Sequence, residues 1–324
     1  MSDQILDVDL LAFERGDQTQ RAAVVDGVMR SLATGFVYTS HDVGESLLDD
    51  AYGMLAEFFA LDQPTKDRSV APGTHGQTGY TGLLVETAAT ADVADWKEML
   101  NWGRAVPAHH PLRGRYPHRY HEPVLPDADV PGIAEVLLHL HDRLFDLQRR
   151  FLRIVAVGLG CHESFFDLLL EDGPTLSRAI HYPAMAEAPA AGHVWAAEHA
   201  DINLITALPR ATERGLQVKT DGGWVDAVPP PEHAIINTGI MLERISNGRI
   251  PSGRHQVVAT ADQAGDRLSM VQFCHPTPWT ILLPAAPTVD DDHPQRFGAI
   301  EAGDLLDQVL YEINLVEAAR GERA

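Results

Sequence analysis

His199, two residues before Asp201, and His255 further along are side chains whose types could do chemistry together. Two neutral imidazoles and one carboxylate on one face of a divalent metal leave the opposite face open, the ligand set of non-haem Fe(II) centres that handle oxygen. In a chain with 16 His and 46 acidic residues a His-x-Asp string arises readily by chance. The elements around it must decide its meaning.

Residues 198–208 alternate apolar and polar side chains, which predicts a strand that carries His199 and Asp201 on one face, because residues i and i+2 of a strand point the same way. A helix would turn them apart. Downstream, residues 215–219 and 224–228 flank Thr220, Asp221, Gly222 and Gly223 and read as a hairpin with Asp-Gly at its tip. Pro229 to Pro231 end it. Further strands are expected at 234–237, 255–260 and 268–274, separated by the turn residues Ser246, Asn247, Gly248 and Ala264, Gly265, Asp266. Short strands at roughly ten-residue spacing predict a β-sandwich or jelly roll. His255 then returns on a later strand to the site opened by His199 and Asp201.

These residues, with others in the same order, resemble the isopenicillin N synthase-like Fe(II)/2-oxoglutarate-dependent dioxygenases. The matching positions run over most of the chain: Gly35 to Tyr38, Phe58 and Phe59 followed by Lys66, Gly79 and Tyr80, Asp95 to Glu98, Tyr182 and Pro183, His199 and Asp201, Gly215 to Val218, Asn237 to Gly239, Ser246 to Gly248, His255, and Arg267 to Ser269. The resemblance implies a mainly β fold with helical flanks, a double-stranded β-helix (jelly roll) core braced by N-terminal helices and a long central helix. It implies that His199, Asp201 and His255 bind Fe(II), that Arg267 and Ser269 hold the distal carboxylate of 2-oxoglutarate, and that Tyr182 adds a hydroxyl there. Alternation along a strand lets the guanidinium fork and the hydroxyl of Arg267 and Ser269 converge on one carboxylate. The chain departs from the family pattern at Ile180, Ile240 and Gln256, where Asn, Asp and Arg are common; none of these is a metal ligand.

Residues 74–102, rich in Gly, correspond to a wall of the substrate pocket in the resembling enzymes, and their composition reads as a loop. Tyr80, Thr81, Glu86, Lys97 and Met99 are its candidate substrate contacts, against the plainer reading of an ordinary connection. His109, His110, His118 and His121 match no closed metal site and read as a solvated loop. Asp290, Asp291, Asp292 and His293 read as an acidic linker before the final helix.

The 324 residues, 45% of them apolar, suffice for one oxygenase domain with an ample core. Within it the expected parts are an N-terminal region with the pocket loops over 1–130, a bracing helix over 131–160, the jelly-roll core with the metal site over 175–285, and a C-terminal helix over 295–320 that closes the pocket mouth. Helices are expected at 18–34, ending at Gly35, and at 45–61; the longest opens at Pro131 and Gly132 and repeats Ile133, Val136, Leu137, Leu140, Leu144, Leu147, Phe151 and Ile154 at helical spacing. The start of the chain shows no signal peptide and no apolar stretch reaches membrane-spanning length. Cys161 and Cys274 fit reduced cytoplasmic thiols. A net charge of −21 disfavours nucleic acid as a partner and tolerates a polar or cationic small molecule. Lys occurs only at 66, 97 and 219 against many Arg, which suggests a GC-rich bacterial source.

The activity expected from the resemblance is oxidation of a small molecule, with 2-oxoglutarate and O2 as co-substrates and hydroxylation as the default outcome. Desaturation, epoxidation and oxidative cyclisation use the same site, and secondary metabolism, antibiotic biosynthesis included, is the expected setting. Two alternatives stand beside it: an iron oxidase on the same scaffold that draws its electrons from the substrate or from ascorbate, and a non-catalytic protein that binds a small molecule.

Overall fold

In the computed structural model, which describes residues 4–74, 76–86, 93–189, 193–260 and 263–312, fourteen described strands are β1 (Asp7–Val8), β2 (Phe36–Ser40), β3 (Gly79–Thr81), β4 (Glu98–Gly103), β5 (Leu176–Tyr182), β6 (Ala196–His199), β7 (Ile205–Leu208), β8 (Leu216–Thr220), β9 (Gly223–Asp226), β10 (His233–Thr238), β11 (His255–Val257), β12 (Arg267–Cys274), β13 (Ile281–Leu282) and β14 (Ile300–Glu301). An eight-stranded sheet runs β1-β2-β10-β7-β12-β5-β4-β3, a four-stranded sheet runs β6-β11-β8-β9, and β13 pairs with β14. All pairings are antiparallel except β1 with β2. This is the expected jelly roll with helical flanks.

Period-two alternation sorts the large sheet into two faces. On β12, Leu268, Met270 and Cys274 join the core beneath the helices, while Val271 and Phe273 face the small sheet. On β5, Ala179 faces the helices and Ile180 and Tyr182 face inward. The inner layer is completed by Ala196, Leu216, Val218 and Val257 of the small sheet, with Trp195 fully buried and its Nε1–H donating to the Pro183 carbonyl at 2.9 Å.

The helices are α1 (Leu10–Arg15), α2 (Gln18–Ser31), α3 (Glu45–Phe59), α4 (Gln63–Asp67), α5 (Pro111–Arg115), α6 (Ile133–Gly158), α7 (Asp167–Leu170), α8 (Ile240–Ile245) and α9 (Ala302–Glu312). An Asp17–Gln20 capping box starts α2, and a 3-10 turn, Leu32–Thr34, carries it to Gly35 at φ 78°. α6 buries the apolar series expected of it except Val136, which is half-buried against the same core. Each such side chain contributes about 1.5–3 kcal/mol of burial. Gln148 of α6 adds direction: its Nε2–H donates to the carbonyls of Ile205 (3.1 Å) and Gln272 (2.8 Å). At about 1 kcal/mol each such bonds are small beside the apolar burial, so the packing holds the helix on the sheet and Gln148 fixes its register.

Some expectations require correction. The predicted strand over 198–208 is two strands: β6 ends at His199, the chain crosses from the small sheet to the large one, and β7 begins at Ile205. Asp201 lies in the crossover, so a shared strand face is not what brings it to His199. Residues 74–102 are only partly loop, because β3 and β4 extend the large sheet. The strand expected over 255–260 stops at Val257. The helix expected over 295–320 starts later: residues 295–299 are irregular, Ile300 and Glu301 form β14, and α9 is described from Ala302 to Glu312, with residues 313–320 outside the described residues. Cys161 and Cys274 are both free thiols, and among the described residues no helix is long and apolar enough to cross a membrane.

On the helix side of the sheet sits a buried ion network. The Lys66 Nζ donates to Glu98 Oε2 at 2.7 Å, the Tyr80 hydroxyl donates to the same oxygen at 2.5 Å, and the His181 ring donates to Glu98 Oε1 at 2.7 Å and Asp266 Oδ2 at 2.9 Å. Burial opposes the charge on His181, but its bonds to Glu98 and Asp266 outweigh burial and raise its pKa above the usual 6.5. The stabilisation is therefore complete below pH 6.5 and is lost as pH rises through the raised value. Thermal midpoints recorded against pH should show the wild-type protein losing about 1–3 °C more than His181→Gln over that rise; parallel curves would mean that the His181 charge does not contribute.

Candidate metal centre

Among the described residues, the His, Cys and acidic side chains whose donor atoms gather are His199, Asp201 and His255, one atom from each lying within 4.8 Å of the others. β6 and β11 place the two histidines directly opposite each other across an antiparallel pair, with ring centroids 4.3 Å apart. His199 Nδ1–H donates to the Ala197 carbonyl at 2.8 Å and His255 Nδ1–H to the Gly253 carbonyl at 3.0 Å. A carbonyl can only accept, so each Nδ1 carries a proton and Nε2 is the nitrogen left to face a metal. Burial, then the neighbouring His255, pushes the His199 pKa down and keeps that imidazole neutral.

Asp201 is fixed by its backbone and by its second oxygen. The Ile240 N–H donates to its carbonyl at 2.8 Å, and Gly239 N–H to that of Leu204 at 2.9 Å, so the crossover turn rests on the start of α8. Thr206 Oγ1–H (2.5 Å) and Asn237 Nδ2–H (2.7 Å) both donate to Oδ2. Oδ1 is left facing His199, 3.9 Å from its Nε2. Burial raises the Asp201 pKa, but the two histidines and these hydrogen bonds outweigh it and hold the carboxyl below its usual range. Two Nε2 lone pairs and one carboxylate oxygen on one side are a donor set that suits a divalent iron.

Further along the same inner face, Arg267 is 2% exposed. Its Nη1–H donates to Ser269 Oγ at 2.9 Å, its Nε–H donates to the Glu213 carbonyl at 3.1 Å, and its guanidinium lies 5.0 Å from the centroid of the Tyr182 ring, its cross-strand neighbour. Among the described residues it has no acidic partner. A buried cation without a counter-ion is costly, and an anionic ligand would supply one. Lys97, Arg178, Tyr182, Ser269 and Arg267 line one cavity with the three metal-site residues.

The other sequence-based candidates divide. Lys97 Nζ donates to Asp95 Oδ2 at 2.8 Å and lies 3.1 Å from Glu86 Oε2, whose other oxygen is 3.4 Å from Arg178. Burial opposes ionisation of Glu86, but Arg178 and Lys97 outweigh it and bring its pKa to about 2. Met99 is buried on the inner face behind the cavity, and Thr81 meets Asn101 at 3.5 Å on the edge strand. Tyr80 is not at the site: it faces the helices, 5.8 Å from Phe58, with its hydroxyl on Glu98.

Sequence reasoning missed Arg178, Phe273, Asn237 and Thr206. The Arg178 guanidinium sits 5.4 Å from the Phe273 ring centroid, with its Nε–H donating to Asn101 Oδ1 at 2.7 Å. The available signal was strand period: Arg178 is four residues before Tyr182, and Phe273 four after Ser269. Of the departures from the family pattern, Ile180 lines the cavity, Ile240 opens α8 and Gln256 pairs with Gln217 at 2.9 Å.

Comparison with known proteins decides the family. Residues 175–276 match the 2OG-Fe(II) oxygenase superfamily, and residues 5–127 match the family described as non-haem dioxygenase in morphine synthesis N-terminal. The oxoglutarate-dependent flavonoid 7-O-demethylase 1 of Ocimum basilicum is 32% identical over 272 residues, 83% of this chain and 68% of that protein. The chain belongs to the 2OG-Fe(II) oxygenase superfamily. A solved 2OG-Fe(II) oxygenase family protein from Caulobacter crescentus superposes with a TM-score of 0.84 at 30% identity, covering 97% of this chain and all of that one (100%). A full-length Neurospora crassa protein, solved in complex with alpha-KG and thymine, superposes with a TM-score of 0.82 at 25% identity over 95% and 96% of the two chains. This oxygenase is therefore an Fe(II)- and 2-oxoglutarate-dependent dioxygenase.

One glycine at the centre is open to direct test. A Cβ on Gly253 would lie 2.6 Å from the Phe36 ring and 2.7 Å from the Gly35 carbonyl. Gly253→Ala must move the backbone whose carbonyl holds His255, and it is expected to cost about 1–3 kcal/mol of stability in denaturant unfolding; an unchanged midpoint would show that the contact yields freely.

Proposed function

We propose that His199, Asp201 and His255 hold Fe(II), that Arg267 and Ser269, with Tyr182 beside them, bind the far carboxylate of 2-oxoglutarate, and that the enzyme oxidises a small polar molecule. Hydroxylation is the proposed outcome. The observation that carries this reading is Arg267, a buried cation with no acidic partner among the described residues, on the same cavity wall as the triad. Bound Fe(II) supplies activation of O2 coupled to decarboxylation of 2-oxoglutarate to succinate and CO2, and so the oxidising power for the substrate's C–H bond.

The chain's own part is positioning. Carbonyls at Ala197 and Gly253 aim the two imidazoles, Thr206 and Asn237 restrict Asp201 to one free oxygen, and the two sheets exclude water. On the remaining wall Lys97 and Arg178 are balanced by Glu86 and Asp95. The local charges cancel, so the overall acidity of the chain does not translate into a cationic substrate, and Arg178 with Phe273 favours a molecule that offers hydrogen-bond acceptors and a flat apolar surface. The proposal places the reaction in the cytoplasm, supported by two free thiols. We place the reaction in secondary metabolism, with antibiotic biosynthesis as one such setting; the basil relative, a flavonoid 7-O-demethylase, supports the former.

Succinate release from 2-oxoglutarate under O2 tests the activity, and Fe(II) titration tests the ligands. His199→Ala and Asp201→Ala are expected to abolish tight Fe(II) binding; either variant binding iron as the wild type does would remove that residue from the set. Asn237→Ala leaves the ligands in place and should weaken Fe(II) affinity about 10–100-fold. Arg267→Ala should raise the KM for 2-oxoglutarate about 10–100-fold, the loss of a charge-assisted bond pair worth about 1.5–3 kcal/mol, and an unchanged KM would place the carboxylate elsewhere.

A further inference from the structure

A second cavity, of about 430 Å3, lies at the far end of the sandwich from the metal centre. Its volume falls in the range of roughly 300–1,000 Å3 typical of small-molecule sites. The strands show how the two spaces are placed. Along β7, Thr206 bonds Asp201, Leu208 lines both cavities, and past the strand's end Arg210 lines the far one. Antiparallel β10 repeats this in reverse: Asn237 bonds Asp201, Ile235 lines both, and His233 lines the far one. Four residues of strand span about 13 Å. The spaces are thus end to end, divided by Leu208, Ile235 and Leu216, with Arg267 lining both.

We propose that the far cavity is a separate port for the dicarboxylate: 2-oxoglutarate enters and succinate leaves behind Arg267, while the organic substrate uses the opening beside Lys97, Arg178 and Phe273. The proposal rests on the assignment of Arg267 to the co-substrate. Arg267 lines both spaces, and its guanidinium bonds the carbonyl of Glu213, a far-cavity residue, and Ser269, a metal-cavity residue, so a dianion in the far cavity approaches the cation that will hold it. At the rim Arg214 is exposed and has no ion-pair partner among the described residues. Arg210 lies beside it, engaged with Asp49 at 2.8 Å and Glu45 at 3.6 Å. Exposed Glu213 and Glu232 also line the rim, so the attraction for a dianion is local to the arginines. A substrate seated against Arg178 and Phe273 blocks the opening on the metal side. A port at the other end lets the dicarboxylates exchange without displacing it.

Val228 lines this cavity and is 51% exposed, so a larger side chain there can fill the space without entering the core; Ala227, half-buried against the inner layer, offers a second plug from the cavity wall. The test is anaerobic stopped-flow mixing of the Fe(II)-loaded protein with 2-oxoglutarate, followed by the weak visible absorption band of their complex. In Ala227→Phe and Val228→Trp, association and dissociation rates should both fall about tenfold or more while Kd stays within about threefold, because a plug hinders passage and leaves the bound state unchanged. Phe273→Trp, which narrows the opening on the metal side, should leave both rates unaltered. Unchanged rates in both plugged variants, or slowing in Phe273→Trp alone, would overturn the port; so would weakened affinity without slowed association. A wild-type protein that gives no band with 2-oxoglutarate would instead overturn the functional reading on which the port rests.

Discussion

The chain has to leave the small sheet at His199 and enter the large sheet at Ile205, and the structure depends on how this crossing is held. A turn between two sheets carries polar backbone that neither sheet can satisfy. Here the first backbone donors of α8 take the carbonyls of Asp201 and Leu204, while the Asp201 side chain is tied to Thr206 on β7 and Asn237 on β10. One carboxylate therefore bridges the crossover, two strands of the large sheet and the metal position. The close approach of Gly239 to Asn203, where a Cβ would meet the carbonyl oxygen at 2.1 Å, leaves this junction no slack.

Electrostatics at the site are arranged in three separate groups. The triad offers neutral nitrogens and one ionised carboxylate; Arg267 offers an uncompensated cation; the wall formed by Lys97, Glu86, Asp95 and Arg178 is internally balanced. Only the second calls for a counter-charge from outside the chain. This division lets a dianion be recognised beside a metal without competition from the protein's many acids, since water and salt screen the distant exposed ones.

The jelly roll and its outer helices were legible because they rest on periodicity: strands of alternating residues separated by turns, and a long helix with apolar residues every three or four positions. The triad was legible as residue types and order, yet the shared strand face expected to join His199 and Asp201 does not exist. Alternation over 198–208 resembled a strand because both ends of the crossover are strands, and nothing local marks the point where the chain changes sheets. Tyr80 shows a second limit. Its neighbours in sequence suggested a pocket loop, but pairing of β3 with β4 turns it toward the helices, a long-range registration that sequence spacing does not carry. Arg178 and Phe273 went unremarked because a strand's inward face becomes a site only once the opposing sheet is in place.

The link between Asp95 and β6 has a consequence for how this oxygenase can change over time. Asp95 Oδ2 accepts from Lys97, while its Oδ1 accepts from the Ala197 N–H at 3.0 Å. Ala197 is also the residue whose carbonyl orients His199. Mutations that remodel the Lys97 side of the pocket will therefore reach the metal through the Asp95 carboxylate. On the Phe273 side the tie runs through backbone instead, because Phe273 pairs across the ladder with Thr206, which bonds Asp201, and the Cys274 carbonyl accepts from the Leu204 N–H at 3.0 Å; side chains there can change while the ladder keeps the carboxylate in place, so new substrate preferences are easier to evolve on that side.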